Sequence, residues 1–518
     1  MNERSFKKAD VVRCVSALVL ATVLLMGPVV GFDFIAEYDD AAYILEHSVL
    51  KNPSVAGLAS LFTTRHNEDY LPLLHLSFFL DALWAGGRPL AYHLTNLAMH
   101  IANGLLVFFL ASRLLKDLRT AFFLALIFLT HPVQVESVAW IPERKNVLST
   151  FLLLLASWKI LVRDRAWSGF FFYFLALFAK SIAVVYPLFL AVHGFLFERR
   201  VGRPVLGAMF GAAVLVSILT VLTQSQVGAV KDGFHGGSSL KTAILMGQAY
   251  WGYLYSLLTG RGLSPLHAFS EIHYGAGITF YFVTGASFWL LYRYRLKGPL
   301  CMFACFFIFL LPVSNIIPIA VLQADRYLYV PVLFFFAGVF LLFDILWKKA
   351  MPERSTLGVS LLGVLFFVSL APATAGYLPV YGNAHLMWSE VAQDPSVRAT
   401  AYYNLGVVEE KQHRLPTAMA YYEAARRAGG HCRATNNLGA LFFDAGQYDK
   451  AHPLFVEAAG KCPQHPEILY NLALSHLKGN DPQSARRLLK EVAGGAHRRT
   501  DLAELARKAL AQMAPHVP

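Results

Sequence analysis

The chain changes character near residue 380. Before that point, apolar runs of membrane-spanning length follow one another. After it, a short motif recurs at Asn404-Leu405-Gly406, Asn437-Leu438-Gly439 and Asn471-Leu472-Ala473. An apolar run of about 20 residues in lipid must satisfy its own backbone hydrogen bonds, and this dictates helices. A short repeat cannot bury its apolar face alone and must stack on its neighbours. The two halves therefore answer to different solvents, and the chain reads as an all-α membrane bundle followed by a soluble α-solenoid.

Composition agrees with a membrane protein. Hydrophobic residues make up 56% and charged residues 15% of the 518, against roughly 25% charged in average globular chains. The net charge of +12 does not point to nucleic acid. The basic residues fall in short clusters between apolar runs, where they orient a chain in a bilayer. The five cysteines show no metal-ligand spacing, and Cys301 with Cys305 reads as core packing.

Candidate spans lie near 11–31, 91–112, 120–132, 147–162, 167–180, 182–197, 204–223, 276–292, 299–320, 327–346 and 356–376, about eleven in all. The first has no cleavage site after it and reads as a retained span. Arg4, Lys7, Lys8 and Arg13 precede it. Clusters at Arg113–Arg119, Arg163–Arg165, Arg199–Arg203, Arg293–Lys297 and Lys348–Arg354 then occupy alternate loops. With all of these cytoplasmic, the N-terminus is inside and the repeats are outside. Residues 240–260 mix aromatic and polar side chains (Lys241, Gln248, Tyr250, Trp251), which suits the interface better than a crossing.

This topology gathers polar residues in outer loops at 32–90, 131–146 and 224–275, among them Asp33, Glu37, Asp39, Asp40, Arg65, His66, Glu68 and Asp69. The organisation expected is a membrane domain over 1–380, a linker over 381–398 and a repeat domain over 399–518.

The anchor asparagines are 33 and 34 residues apart, and Ala418, Ala451 and Ala485 share that period. Small residues on both helices and an early aromatic (Tyr403, Tyr470) fit the tetratricopeptide pattern. Three repeats run 399–431, 432–465 and 466–498, with a capping helix from Asp501 to Met513. Such an array offers a concave surface to a partner and seldom catalyses. Cys432 and Cys462 are outside in this topology, so a disulfide is chemically permitted. Read as lying on successive turns of the stack, they would strain the Cα reach of a bridge.

In Glu37-Tyr38-Asp39-Asp40 a carboxylate pair sits just beyond the first span. A carboxylate ionised at neutral pH can take the proton of an attacking hydroxyl. The pair could equally orient an acceptor, hold a divalent cation (Mg or Mn), or cap the helix that follows. His131 and Glu136 flank a proline and could hydrogen-bond each other or a sugar hydroxyl. Arg144 and Lys145 could hold a phosphate. Lys180, between two apolar runs, is costly in hydrocarbon unless paired or lining a polar cavity. Arg326 could clamp a phosphate bidentately, or pair with Asp325.

These residues carry a family likeness. Tyr38-Asp39-Asp40, Tyr70-Leu71-Pro72-Leu73, Tyr92-His93-Leu94-Thr95-Asn96 and the run from His131 to Val138 resemble the TMTC-type O-mannosyltransferases and their bacterial relatives. So do Ala179-Lys180, Leu311-Pro312-Val313-Ser314-Asn315 and the run from Asp325 to Pro331. The resemblance implies a GT-C membrane fold, a polyprenyl-phosphate sugar donor, and chemistry on the non-cytoplasmic face. It implies Asp39 or Asp40 as catalytic, and Lys180, Arg326 and Arg144 as phosphate-binding. His131, Glu136, Tyr70 and His93 would contact sugar or acceptor. The chain departs from the family at Leu71, at Ser181 where an acid is usual, and at Glu143-Arg144-Lys145-Asn146. The expected function is sugar transfer from a lipid phosphate to Ser/Thr hydroxyls of exported proteins in a bacterial inner membrane, with the repeats positioning the acceptor. The alternatives are a lipid, lipopolysaccharide or capsule acceptor, and a non-catalytic membrane scaffold.

Overall fold

The structure is a computed structural model that describes residues 6–64, 70–198, 201–225, 230–231, 233–268, 271–354, 357–494 and 500–513. Arg4, Arg65, His66, Glu68, Asp69, Arg199 and Arg200 lie outside the described residues. Among the described residues the regular structure is helical, apart from one isolated bridge between Val230 and Ile319. The chain divides into two compact units, residues 1–383 and 384–518.

In the first unit, six helices among the described residues are long and apolar enough to cross a membrane: Lys8–Gly31, Pro89–Leu115, Ile141–Val162, Arg203–Ser225, Pro331–Ala350 and Gly358–Tyr381. A seventh candidate, Leu118–Thr130 with Pro132–Ala139, is bent by 52°. Pro132 supplies the reason: it has no N–H, and it holds His131 extended (φ −70°, ψ 137°). The bend turns the residues after it inward, and Val133, Val135, Val138, Trp140 and Ile141 are all buried. Four shorter apolar helices, Pro72–Ala85, Ala166–Leu177, Ser181–Phe197 and Lys297–Val313, complete the apolar set.

The segment read as interfacial forms the helix Ser239–Thr259, which packs on Tyr274–Arg293. They meet backbone to backbone. A Cβ on Gly247 would stand 2.3 Å from the Gly277 carbonyl oxygen, so only glycine fits.

The second unit stacks helical hairpins. Helices Arg398–Lys411 and Leu415–Gly429, Cys432–Asp444 and Tyr448–Lys461, then Pro466–Lys478 and Pro482–Gly494 pair in sequence, and Thr500–Gln512 covers the end. Ala418, Ala451 and Ala485 are wholly buried. A Cβ on Gly406 would lie 2.4 Å from the Tyr422 ring, so the periodic small residues are where paired helices touch.

Two expectations are corrected. Residues 381–398 are not a linker: they contain the helix Ala384–Val391, whose Met387 and Trp388 are buried within this unit. Cys432 and Cys462 are joined in a disulfide, with Cα atoms 6.2 Å apart, inside ordinary reach. The reason is antiparallel pairing within one repeat. Cys432 opens the first helix of a hairpin and Cys462 follows the last residue of the second, so the hairpin's ends coincide. Closing this loop should stabilise the repeats by about 3 kcal/mol. We expect Cys432→Ser to lower the thermal unfolding midpoint of the full chain. The parent should show the same loss only after reduction, followed by circular dichroism.

Candidate functional site

The first unit contains a cavity of about 380 Å³ with two kinds of wall. One is polar: Asp39, Tyr70, Glu143, Lys145, Lys180 and Arg326. The other is apolar, built by Phe174, Leu177 and Phe178 together with Leu215, Val216 and Leu219 of the helix Arg203–Ser225. That helix leaves Leu215, Leu219 and Leu222 more than half exposed, so the cavity opens beside a surface suited to lipid tails.

The polar wall is organised by two carboxylates with no exposure, Glu136 and Glu143. Glu143 ends the short turn Ile141–Glu143, from which the helix Arg144–Ser157 begins. Its oxygens receive Lys145 at 3.1 Å, Lys180 at 3.2 Å, the Asn146 amide at 2.7 Å and Arg326 Nε at 3.5 Å. Glu136 accepts both the Arg326 backbone N–H and its guanidinium, each at 2.6 Å. Lys180 also donates to Asn146 at 2.6 Å. Arg326 lies over the Trp140 ring at 5.4 Å, and Tyr38 stacks on that ring at 4.3 Å. Lys145, Lys180 and Arg326 thus converge on one buried anionic pair and border the cavity. In a low-dielectric wall such cations hold a ligand anion more strongly than in water.

The two acids of the first loop separate. Asp39 lines the cavity and is half-buried. Asp40 is 1% exposed, and its Oδ2 accepts the Ile35 backbone N–H at 2.6 Å, closing the loop that carries Asp39. It makes no side-chain cap on the turn Ala41–Leu45. Burial pushes the Asp40 carboxyl up to about 7, against the pull of the Ile35 hydrogen bond and with the Asp39 charge adding to the rise.

Lys180, Arg326 and Tyr70 border the cavity; Tyr70 donates its hydroxyl to the Phe62 carbonyl at 2.8 Å. Arg144, His131, His93 and Glu136 do not. Arg144 points the opposite way from Lys145, because successive helical residues do not share a face. Its guanidinium is wholly buried, paired with Asp81 at 2.5 Å and donating to Asn96 at 2.6 Å and to the Tyr92 carbonyl at 2.7 Å. It is a core residue, not a phosphate ligand. His131 is equally buried: Nδ1 accepts the Val133 N–H at 3.1 Å and Nε2 meets the Leu257 carbonyl at 2.9 Å. It braces the bend and does not reach Glu136. His93 is 1% exposed and lies against Phe32, away from the cavity. Glu136 is turned to Arg326, whose backbone N–H and guanidinium it accepts, and is not among the cavity-lining residues. The sequence reading assigns Glu143 no role at the cavity. Its signal was a carboxylate between apolar runs, two residues before a lysine in the same polar cluster.

Two families described as tetratricopeptide repeat match residues 442–512 and 381–431. The mouse protein O-mannosyl-transferase TMTC3 is 32% identical over 129 residues, which is 23% of this chain and 14% of that protein. Mouse protein O-mannosyl-transferase TMTC1 is 38% identical over 101 residues, 19% of this chain and 10% of its own. Drosophila melanogaster protein O-mannosyl-transferase Tmtc1 is 30% identical over 147 residues, 26% and 16% respectively. Over these segments the chain is similar to protein O-mannosyl-transferases. The TMTC resemblance and the tetratricopeptide repeats are borne out, while the matched segments span only about a tenth to a sixth of those relatives. Among solved structures, an Archaeoglobus fulgidus oligosaccharyltransferase tethered to an acceptor peptide superposes with a TM-score of 0.39 at 12% identity, covering 73% of this chain and 56% of that one.

Removing one partner of the Asp81–Arg144 pair strands a buried charge. Arg144→Ala should therefore destabilise the fold by about 3–5 kcal/mol, read as a lost melting transition in detergent. Asp81→Leu combined with Arg144→Met should recover much of it. Asp40 carries the opposite sign from a salt-bridged acid. Protonated in the fold but ionised when unfolded, it contributes stability at low pH that is lost as pH rises from its ordinary value towards about 7. The melting temperature of Asp40→Asn relative to the parent should accordingly climb across that window, as measured by differential scanning fluorimetry.

Proposed function

We propose that the chain is a membrane glycosyltransferase that moves a hexose, mannose foremost, from a polyprenyl phosphate to Ser/Thr hydroxyls of exported proteins. The observation that carries this reading is one cavity that joins Asp39 and three cations to an apolar wall beside the exposed leucines of the helix Arg203–Ser225. A phosphate with an isoprenoid tail has the matching chemistry: an anion for Lys145, Lys180 and Arg326, and a hydrocarbon chain for Phe174, Phe178 and Leu219. The partial likeness to the TMTC proteins supports the same class.

In this reading the Asp39 carboxylate takes the proton of the acceptor hydroxyl. The acceptor oxygen attacks the anomeric carbon opposite the phosphate and inverts it. The bond from that carbon to the phosphate oxygen breaks, its electron pair stays on the phosphate, and the cations hold the charge that develops there. The phosphate is met by lysine and arginine, and Glu143 and Glu136 are already spent on those side chains. Among the described residues no group of acidic, histidine or cysteine side chains is arranged to hold a metal. A divalent cation does not fit beside three cations.

We place the chain in a bacterial inner membrane with about eleven crossings, the N-terminus cytoplasmic and the repeats periplasmic. The loop charges support that orientation, as does a disulfide in the repeats, which belongs in an oxidising compartment. The repeats would present the acceptor.

The test is transfer of labelled mannose from synthetic polyprenyl-phosphate mannose to a Ser/Thr peptide by the purified full chain. Asp39→Asn should reduce transfer by about two to four orders of magnitude, Asp40→Asn should stay within a few-fold of the parent, and EDTA should have no effect. Full activity of Asp39→Asn would remove the acid assigned here. Transfer to an envelope lipid in place of the peptide would change the acceptor class, and no transfer by the parent would leave a scaffold.

A further inference from the structure

The sequence gives His267 no role, yet the structure fixes it at a junction. Its Nε2 lies 2.8 Å from Asp325 Oδ1, while the Ser264 backbone N–H donates to Asp325 Oδ2 at 2.9 Å. The Tyr377 hydroxyl donates to that second oxygen at 3.2 Å. Asp325 is 1% exposed and directly precedes Arg326, the cavity arginine. On the other side of the same segment, the Pro265 carbonyl accepts the Tyr38 hydroxyl at 3.5 Å. Tyr38 stacks on Trp140 and directly precedes Asp39, the cavity acid. Four consecutive residues, 264–267, therefore touch the neighbour of the acid and the neighbour of the arginine.

We propose that His267 is a positioning residue: its ion pair with Asp325 clamps residues 264–267 between Tyr38 and Asp325, and so sets the Asp39 carboxylate against Arg326. The role in catalysis rests on the transfer reading above, whereas the clamp does not. Because the loop at 264–267 and the end of the helix Gly358–Tyr377 meet on Asp325, a slack clamp leaves both cavity groups present but misaligned, and misplacement of about 1 Å is enough to slow a reaction severely.

The groups facing the imidazole define its titration. They are Asp325 and Arg326 from the turn Asp325–Leu328 and Glu136 from the bent helix. Tyr377 and Tyr381 share the Asp325 environment from the end of the last helix of this unit, and Tyr38 faces the segment from the first loop. Burial pulls the imidazolium down, but the Asp325 carboxylate outweighs it and holds the group above its ordinary range. The sign follows. The charged clamp is complete below the ordinary histidine value and weakens as pH rises through the raised one. Neutral His267 keeps a hydrogen bond and loses the charge.

Hydrogen exchange of the peptide over 261–268, in the full chain in lipid nanodiscs and corrected for chemical exchange rate, reads the clamp directly. Between about pH 6 and about pH 9 the parent should lose on the order of tenfold protection. His267→Gln, which keeps a neutral hydrogen bond, should be intermediate and pH-independent, and His267→Ala unprotected throughout. Protection in the parent that ignores both pH and substitution overturns the clamp, whatever the activity. In the mannose-transfer assay, His267→Ala should lower kcat about tenfold with KM for the polyprenyl-phosphate mannose unchanged, and His267→Gln should recover most of it. Unaltered kcat in His267→Ala overturns the positioning role. A clamp that behaves as expected in a parent that transfers nothing leaves the clamp standing and removes the transferase reading instead.

Discussion

The site depends on a single buried carboxylate that three cations share. Glu143 has no exposure, yet Lys145, Lys180 and Arg326 all direct nitrogens at it. A lone charge at that depth would be costly, and so would three unpaired cations. Each group is tolerable only with the others present. The beginning of the helix Arg144–Ser157, the break after Phe178 and the strap at Asp325–Leu328 are therefore obliged to meet at one point. Such a network adds little net stability, because desolvation offsets most of the attraction. What it fixes is position: it sets three cations at the border of the cavity.

Proline at 132 makes that meeting possible. A straight helix through residues 118–139 would carry Glu136 along the membrane axis. The 52° bend turns it inward to Arg326, while His131 accepts the Val133 N–H at the break and ties it to the Leu257 carbonyl of the helix Ser239–Thr259. The remaining division of labour comes from the angle between neighbouring side chains. Lys145 faces the cavity and Arg144 the core. Asp39 faces the cavity and Asp40 the back of its own loop. In each pair the buried member holds the segment that presents the other.

The repeat unit follows simpler rules. Alanine and glycine recur where helices touch, because a larger side chain would collide with a ring such as Tyr422. The Cys432–Cys462 bridge ties the two ends of one hairpin. On successive turns of the stack these cysteines would be distant, but within one hairpin an antiparallel pair returns its last residue to the level of its first.

Much was legible in the residues themselves. Apolar runs and a 34-residue recurrence are local patterns, and each forces its own secondary structure through backbone hydrogen bonding or stacking. The residue types of the site were legible for the same reason: Asp39, Lys180 and Arg326 are expensive to place in or beside a membrane without cause. Their partners were not. Glu143 opposite three cations, Arg144 turned to Asp81, and Asp325 tied to His267 rather than to Arg326 depend on helix rotation and on contacts between segments far apart in the chain. Sequence determined which charges the chain must reconcile with an apolar surrounding. Only the tertiary structure decided which of them neutralise one another and which face the cavity, since pairing is a matter of distance in space.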